Sequence, residues 1–180
     1  RIYKLQSMYH NCEAASGVQW STRGDNRVTP VGRVIRKLHI DELPQLWNIL
    51  LGDMSLVGPR PERPEFVGPL QSQVPGYIGR LKVRPGLTGL AQIQLPPDSA
   101  IESVKAKVVL DLYYVEHYSL TLDARILFGT AVYLLGFSYA AVRVIAGLPD
   151  VGRREPEPAT PLKAPDLIPA DAFATQAPTA

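Results

Sequence analysis

The residues best suited to chemistry are two adjacent carboxylates, Asp41 and Glu42, with basic residues on both sides along the chain. Arg36 and Lys37 precede the pair, and Arg60 follows on a turn that contains two prolines. Apolar residues at helical spacing predict a helix with Asp41 at its N-cap, where the positive end of the helix keeps a carboxylate ionised and attracts phosphate. An ionised carboxylate beside a phosphate site is a candidate nucleophile. The alternative is that Asp41 only caps the helix and that Glu42 only complements the helix dipole.

Attack of an aspartate on phosphorus would form an acyl phosphate, a covalent route that divides one difficult transfer into two easier steps. Because both reactants are anions, the pattern predicts Mg²⁺ bound by Asp41 and Glu42 together with substrate phosphates. We expect three arginines, Arg36, Arg60 and Arg84, to contact phosphate oxygens, the last two from turns stiffened by proline. The alternative for each arginine is an ordinary ion pair, at the surface or within the structure.

Short helices and rigid turns are predicted around these residues. Residues 2–9 are typical of a short strand and residues 20–29 of a polar loop. A helix beginning at Pro30 has an apolar side and a basic side, and the next helix ends at Gly52. In that second helix we expect Trp47 to pack in the core. It lies on the apolar stripe formed by Leu43, Leu46, Trp47 and Leu50.

The second half of the chain contains a loop, a long helix, an apolar stretch and a proline-rich end. Residues 55–64 are typical of a loop and residues 99–118 of a helix. Residues 126–148 are apolar enough to suggest a membrane span, but their tyrosines, glycines and Arg143 favour a helix that lies in the membrane plane or packs in the core. Residues 149–180 are rich in proline and alanine, which predicts a disordered tail after a domain spanning 1–148.

Composition excludes several classes of function. A formal net charge of +2 gives no support to nucleic-acid binding. Cys12 is the sole cysteine and the three histidines are scattered, so neither an internal disulfide nor a Cys/His metal cluster is predicted. The sequence begins at Arg1 without a methionine or a signal peptide, and we interpret it as a fragment.

Five ordered blocks resemble a known family. Residues 41–61 read DELPQLWNILLGDMSLVGPRP, and the other blocks are YK with SM at 3–8, KVRPGLTG with AQ at 82–92, DLYYV at 111–115 and LD at 122–123. Together they resemble the bacterial sugar transferases, which are monotopic polyprenyl-phosphate phosphoglycosyltransferases. The resemblance runs from residue 1 to about residue 136.

The resemblance implies that Asp41 attacks the sugar-linked phosphate of a UDP-sugar and releases UMP, after which polyprenyl (undecaprenyl) phosphate accepts the phosphosugar. Glu42 would bind Mg²⁺ or manage protons. An upstream hydrophobic hairpin would anchor the protein at the cytoplasmic face of the bacterial inner membrane. The extension at 61–66 favours a glucose or galactose donor, in the initiating step of exopolysaccharide or O-antigen synthesis.

We therefore expect an α+β fold, mostly helical, with a few short strands and amphipathic helices at a membrane surface; it is compatible with a homo-oligomer. The competing hypothesis is a non-catalytic, membrane-associated scaffold of a polysaccharide assembly complex, in which the acidic pair only caps a helix.

Overall fold

A mixed α+β fold is seen in the computed structural model, which describes residues 1–14, 17, 19–21, 24–97 and 100–151. The expected fold class, mostly helical with short strands, is confirmed. The helices are α1 (Pro30–Lys37), α2 (Gln45–Leu50), α3 (Pro64–Gln73), α4 (Ile101–His117), α5 (Leu120–Leu134) and α6 (Tyr139–Ile145). The strands are β1 (Ser55–Val57) and β2 (Gly86–Thr88), and 3₁₀ turns occur at Ile40–Glu42 and Tyr77–Lys82.

The two strands lie side by side and in parallel, with Ser55 opposite Gly86 and Val57 opposite Thr88. Glycine is required here, because a Cβ added to Gly86 would lie 2.1 Å from the backbone nitrogen of Gly58. The region expected to be a loop at 55–64 therefore contains a strand. Since the prolines follow β1 and begin α3, the rigid turn that carries Arg60 starts directly at the end of β1.

Two clusters of buried residues form the core. The larger cluster joins the strands to α4, α5 and α6, and Ile126 and Val142 are fully buried within it. The smaller cluster packs α3 and the Tyr77–Lys82 turn against the first half of α4. Helix α4 thus contributes to both clusters and connects α3 to the part of the core that contains β1.

The N-terminal segment does not form the strand predicted at 2–9. Its one bridge of strand type joins Met8 to Val28. Elsewhere its backbone bonds are made to helical and turn residues: Leu5 N–H donates to the carbonyl of Asp41 at 3.0 Å, and Tyr3 N–H donates to the Asn48 side chain at 2.9 Å. The segment is extended, but its partners do not form a sheet edge.

Helices α1 and α2 turn their apolar sides outwards. The prediction that Trp47 packs in the core is wrong, since 58% of its surface is exposed and Leu50 is 77% exposed. The buried residues of α2 are instead the polar Gln45 and Asn48. The periodicity of the stripe is confirmed, but the protein core lies on the opposite side of the helix.

The apolar stretch 126–148 is divided into two helices by a turn in which Gly136 has a φ of 92°. None of the helices in the described ranges is both long and apolar enough to cross a membrane. Ile126 and Val142 instead anchor α5 and α6 in the core, as the core-packed interpretation predicted.

The tail predicted at 149–180 falls mostly outside the described residues. Residues 149–151 are described, and Val151 is buried in the larger core cluster. The Val151 side chain packs beside the helices that precede it, and the disorder expected beyond residue 151 stays a prediction.

Candidate active site

The acidic pair lies in a tight 3₁₀ turn, Ile40–Glu42, and not at the start of an α-helix. His39 precedes the turn in the left-handed conformation with a φ of 55°, and its ring meets the edge of Tyr133 from α5. Helix α2 begins only at Gln45, after Pro44. The predicted N-cap role of Asp41 is therefore wrong. Its backbone carbonyl accepts a hydrogen bond from Leu5, and its side chain is turned into an ion-pair cluster.

Lys4 lies between the two carboxylates. Its Nζ is 3.0 Å from Asp41 Oδ2 and 3.4 Å from Glu42 Oε1. The adjacent Leu5 N–H···O=C Asp41 bond holds the two segments together, and the buried Asn48 holds the Tyr3 backbone. Lys4 belongs to one of the blocks that carry the resemblance but was not predicted as a site residue, because nothing in its spacing relates it to a pair 37 residues away.

Arg60 completes the cluster from the opposite side. Its Nη2 donates to Glu42 Oε1 at 2.5 Å, and the two side chains are 40% and 12% exposed. Burial alone would raise the pKa of Glu42, but the hydrogen bond and charge of Arg60, together with Lys4, hold that pKa below its usual value. The four side chains therefore form a charge-balanced group of two carboxylates and two cations.

The other two predicted arginines do not reach the acidic pair. Arg36 donates from Nε and Nη1 to the hydroxyls of Ser7 and Ser21, both at 2.8 Å. Arg84 is exposed, and its Nη1 would lie 3.8 Å from a Cβ at Gly52, just after α2. Of the three arginines predicted to bind phosphate, Arg60 alone contacts Asp41 or Glu42 in the part of the chain that the structure describes.

A second charged group lies behind Arg60 and was not predicted as part of the site. Arg80 Nη2 donates to the backbone carbonyl of Arg60 at 2.8 Å and is 2.8 Å from Asp111 Oδ2. Burial raises the pKa of Asp111 against the attraction of the paired Arg80. The only sequence signal for this group was Asp111 in the DLYYV block.

The acidic pair is compatible with Mg²⁺ only if substrate supplies further ligands. Among the described residues, no group of three or more His, Cys, Asp or Glu side chains could hold a metal ion. Lys4 contacts Asp41 Oδ2, and Lys4 and Arg60 both contact Glu42 Oε1, so the other oxygen of each carboxylate would be the one to bind a metal ion. Mg²⁺ commonly binds through one or two carboxylates plus substrate phosphates, so the donor set fits it.

An exposed apolar surface flanks the acidic turn on both sides along the chain. We define it by the outward side chains of α1, α2 and the residues next to them: Val31, Val34, Leu38, Leu43, Leu46, Trp47, Leu50 and Leu51. Isolated apolar residues are common on protein surfaces, but eight exposed large apolar side chains within residues 31–51 are more than such scatter accounts for and favour a binding surface. The charged cluster therefore lies next to a surface suited to an apolar phase.

Comparisons with known proteins identify relatives of this chain. The family model described as bacterial sugar transferase matches residues 1–136. The chain is 48% identical over 130 residues to a UDP-N-acetylgalactosamine-undecaprenyl-phosphate N-acetylgalactosaminephosphotransferase from Aeromonas hydrophila, covering 72% of this chain and 30% of the relative.

Two further relatives are each 42% identical over 137 residues. One is a UDP-glucose:undecaprenyl-phosphate glucose-1-phosphate transferase from Caulobacter vibrioides, for which 75% of this chain and 51% of the relative are covered. The other is the exopolysaccharide production protein PSS from Rhizobium leguminosarum bv. phaseoli, with 73% and 68% covered. The chain therefore spans between 30% and 68% of the length of these three relatives.

Proposed function

This chain belongs to the bacterial sugar transferase family, and from that premise we propose that it transfers a phosphosugar from a UDP-sugar to undecaprenyl phosphate. The observation that carries the proposal is the cluster of Lys4, Asp41, Glu42 and Arg60, which lies entirely within the matched residues 1–136. A carboxylate pair neutralised by two cations can receive an anionic substrate with less repulsion than a bare pair.

The proposed reaction has two halves. A carboxylate oxygen of Asp41 attacks the phosphorus that bears the sugar, the bond from that phosphorus to the bridging oxygen breaks, and UMP leaves with the electron pair. An oxygen of undecaprenyl phosphate then attacks the same phosphorus, and the bond to Asp41 breaks, which regenerates the carboxylate. Because every attacking and leaving oxygen is an anion, neither half requires a net proton transfer.

The two cations have different tasks in this proposal. Arg60 is held through Glu42 and presents a planar guanidinium that can bind phosphate oxygens. Lys4 is 40% exposed and flexible, so its ammonium can turn towards the incoming pyrophosphate and free the Asp41 oxygen. Mg²⁺, held by the free oxygens of Asp41 and Glu42 with substrate phosphates, would neutralise phosphate charge.

The apolar surface supports a place at the membrane, where the polyprenyl acceptor is found. Trp47 and the leucines of α2 lie outwards, and the basic Arg33 and Lys37 are exposed on the neighbouring helix α1. Apolar side chains with nearby cations favour the interface of an anionic bilayer. We propose that this surface rests on the cytoplasmic face of the inner membrane and brings Asp41 within reach of the lipid phosphate.

The test is UMP release from UDP-glucose, UDP-galactose and UDP-N-acetylgalactosamine with undecaprenyl phosphate in detergent micelles. Asp41→Asn should abolish release and also abolish a phosphosugar adduct on the protein, detected by mass spectrometry after mixing with UDP-sugar alone. The variant should keep the wild-type melting temperature within a few degrees. Turnover close to wild type in Asp41→Asn would refute the mechanism, whereas the absence of UMP release from wild type would favour the scaffold hypothesis.

A further inference from the structure

A buried ion pair lies beside the proposed active site. Arg80 and Asp111 face each other from the Tyr77–Lys82 turn and α4, and their side chains are only 4% and 3% exposed. A buried pair is weak evidence for a stabilising role, because apolar residues of similar volume are often as stable or more stable. Stability alone therefore does not explain the buried pair, and the other contacts of Arg80 suggest a second role.

Arg80 also holds the chain at Arg60. Its Nη2 donates to the Arg60 carbonyl at 2.8 Å, while Nη1 donates to Tyr77 Oη at 3.4 Å. Glu62 Oε1 lies 3.9 Å from Nη1, so the guanidinium contacts the turn at two residues. Pro59 and Pro61 fix φ on either side of Arg60, but they do not decide where the turn lies relative to the acidic pair.

The position of the Arg60 turn depends on contacts of both its backbone and its side chain. The Arg60 carbonyl accepts a hydrogen bond from the Arg80 guanidinium, which forms an ion pair with Asp111, and the Arg60 side chain in turn donates to Glu42. A lysine at position 80 would keep the charge but not the planar fork that serves several acceptors. Successive contacts of Asp111, Arg80 and Arg60 thus connect α4 to the acidic pair.

We propose that Arg80, oriented by Asp111, is a positioning residue that fixes the turn carrying Arg60 and thereby the contact between Arg60 and Glu42. Arg80 does not touch substrate in this scheme and acts through Arg60. The proposal rests on the proposed function for its catalytic consequence. Its structural consequence, the orientation of Arg60, can be measured without turnover.

The decisive variant replaces both charges by apolar side chains, Arg80→Met with Asp111→Leu. Because no unpaired charge is left in the core, we expect the melting temperature to stay within a few degrees of wild type or to rise. Turnover should nevertheless fall at least about tenfold. In the double variant, adding Arg60→Lys should lower the turnover rate by less than half of the fold-change that it causes in wild type. The two effects should not be additive, because Arg80 acts through Arg60.

An independent readout is the Arg60 Nε–H signal in a ¹⁵N-correlated NMR spectrum. We expect that signal to shift and to exchange faster with solvent in the double variant and in Arg80→Lys, which serves if the double variant does not fold. The matched control is Arg27→Met, which removes an arginine paired with Asp25 at 2.7 Å and only 13% exposed. It should change neither the signal nor the rate.

A folded double variant with an unchanged Arg60 signal and wild-type turnover would overturn the proposal. An unchanged signal in Arg80→Lys would overturn it equally if the double variant failed to fold. If wild type released no UMP, the proposed function would fail, but the Arg60 signal would still decide whether Arg80 positions Arg60.

Discussion

Replacing Arg60 by lysine tests whether its guanidinium is required or only its charge. In the structure, Arg60 Nη2 lies 2.5 Å from Glu42 Oε1, and the Glu42 side chain is largely buried. Lysine can keep the attraction to Glu42, but its three N–H groups share one nitrogen, so it loses the planar fork that can bind Glu42 and a phosphate oxygen through separate nitrogens.

The size of the expected rate loss follows from the strength of a hydrogen bond between charged groups at a partly buried position. A hydrogen bond to a charged group contributes about 1.5–3 kcal/mol, and lysine should retain part of it. A loss of about 1.4 kcal/mol of transition-state stabilisation corresponds to a tenfold lower rate. We therefore expect Arg60→Lys to reduce UMP release at least about tenfold, with an unchanged melting temperature.

Arg63→Lys is a matched control on the same stretch of chain. Arg63 is 46% exposed, comparable to Arg60, and it is also paired with a glutamate, Glu13, at 2.9 Å. Exposed pairs contribute about 0–1 kcal/mol, and this one lies outside the acidic cluster, so the rate should stay within about twofold of wild type. The measurement is the initial rate of UMP release from one UDP-sugar at saturating acceptor. Equal rates for the two variants would remove Arg60 from the site and refute the reasoning.

Three further predictions concern the acidic pair, the metal and the apolar surface. The cationic partners of Glu42 hold its pKa below 4.5, against the opposing effect of burial. Ionised Glu42 therefore stabilises the fold above that pH, and the contribution is lost as the pH falls through the lowered pKa. Glu42→Gln should reduce the fall in melting temperature between about pH 6 and pH 3, and an identical fall in wild type and variant would contradict this. Exhaustive EDTA treatment should abolish UMP release and added Mg²⁺ should restore it, whereas undiminished turnover would exclude the metal role. Trp47→Ser with Leu50→Ser should weaken sedimentation with phosphatidylglycerol vesicles several-fold, and the exposed Leu120→Ser should not; equal binding by both would argue against a membrane role for the apolar surface.

Local features of the fold were predictable because they depend on neighbouring residues. Thr29 accepts a bond from the Gly32 N–H and starts α1 at Pro30, and Gly52 takes the positive φ that ends α2. Helix α4, predicted at 99–118, is confirmed at Ile101–His117. The short parallel strands were missed, since three residues give no clear alternation and their pairing depends on a partner about thirty residues away.

The side of each short helix that faces the core was not predictable from periodicity. An apolar stripe usually faces the interior, but in α2 the fully buried residue is Asn48. The Asn48 side chain forms hydrogen bonds with the backbone of the N-terminal segment. Its burial costs little free energy, because its polar groups have hydrogen-bond partners. A hydrophobic pattern predicts that a helix is amphipathic. It does not predict whether the apolar side faces the protein core or the surface.

The sequence by itself showed an acidic pair, Asp41 and Glu42, followed by Arg60 on a turn with two prolines, and a resemblance to the sugar transferases, and from these we proposed Asp41 and Glu42 as the reactive pair. The tertiary structure decided which cations reach that pair. Lys4 and Arg60 contact it, and the Arg80–Asp111 pair contacts the backbone of Arg60, whereas Arg36 and Arg84 do not reach the acidic pair. The reason is physical: capping and periodicity act within a few residues, but an ion pair between distant residues forms only where packing brings their side chains within about 4 Å.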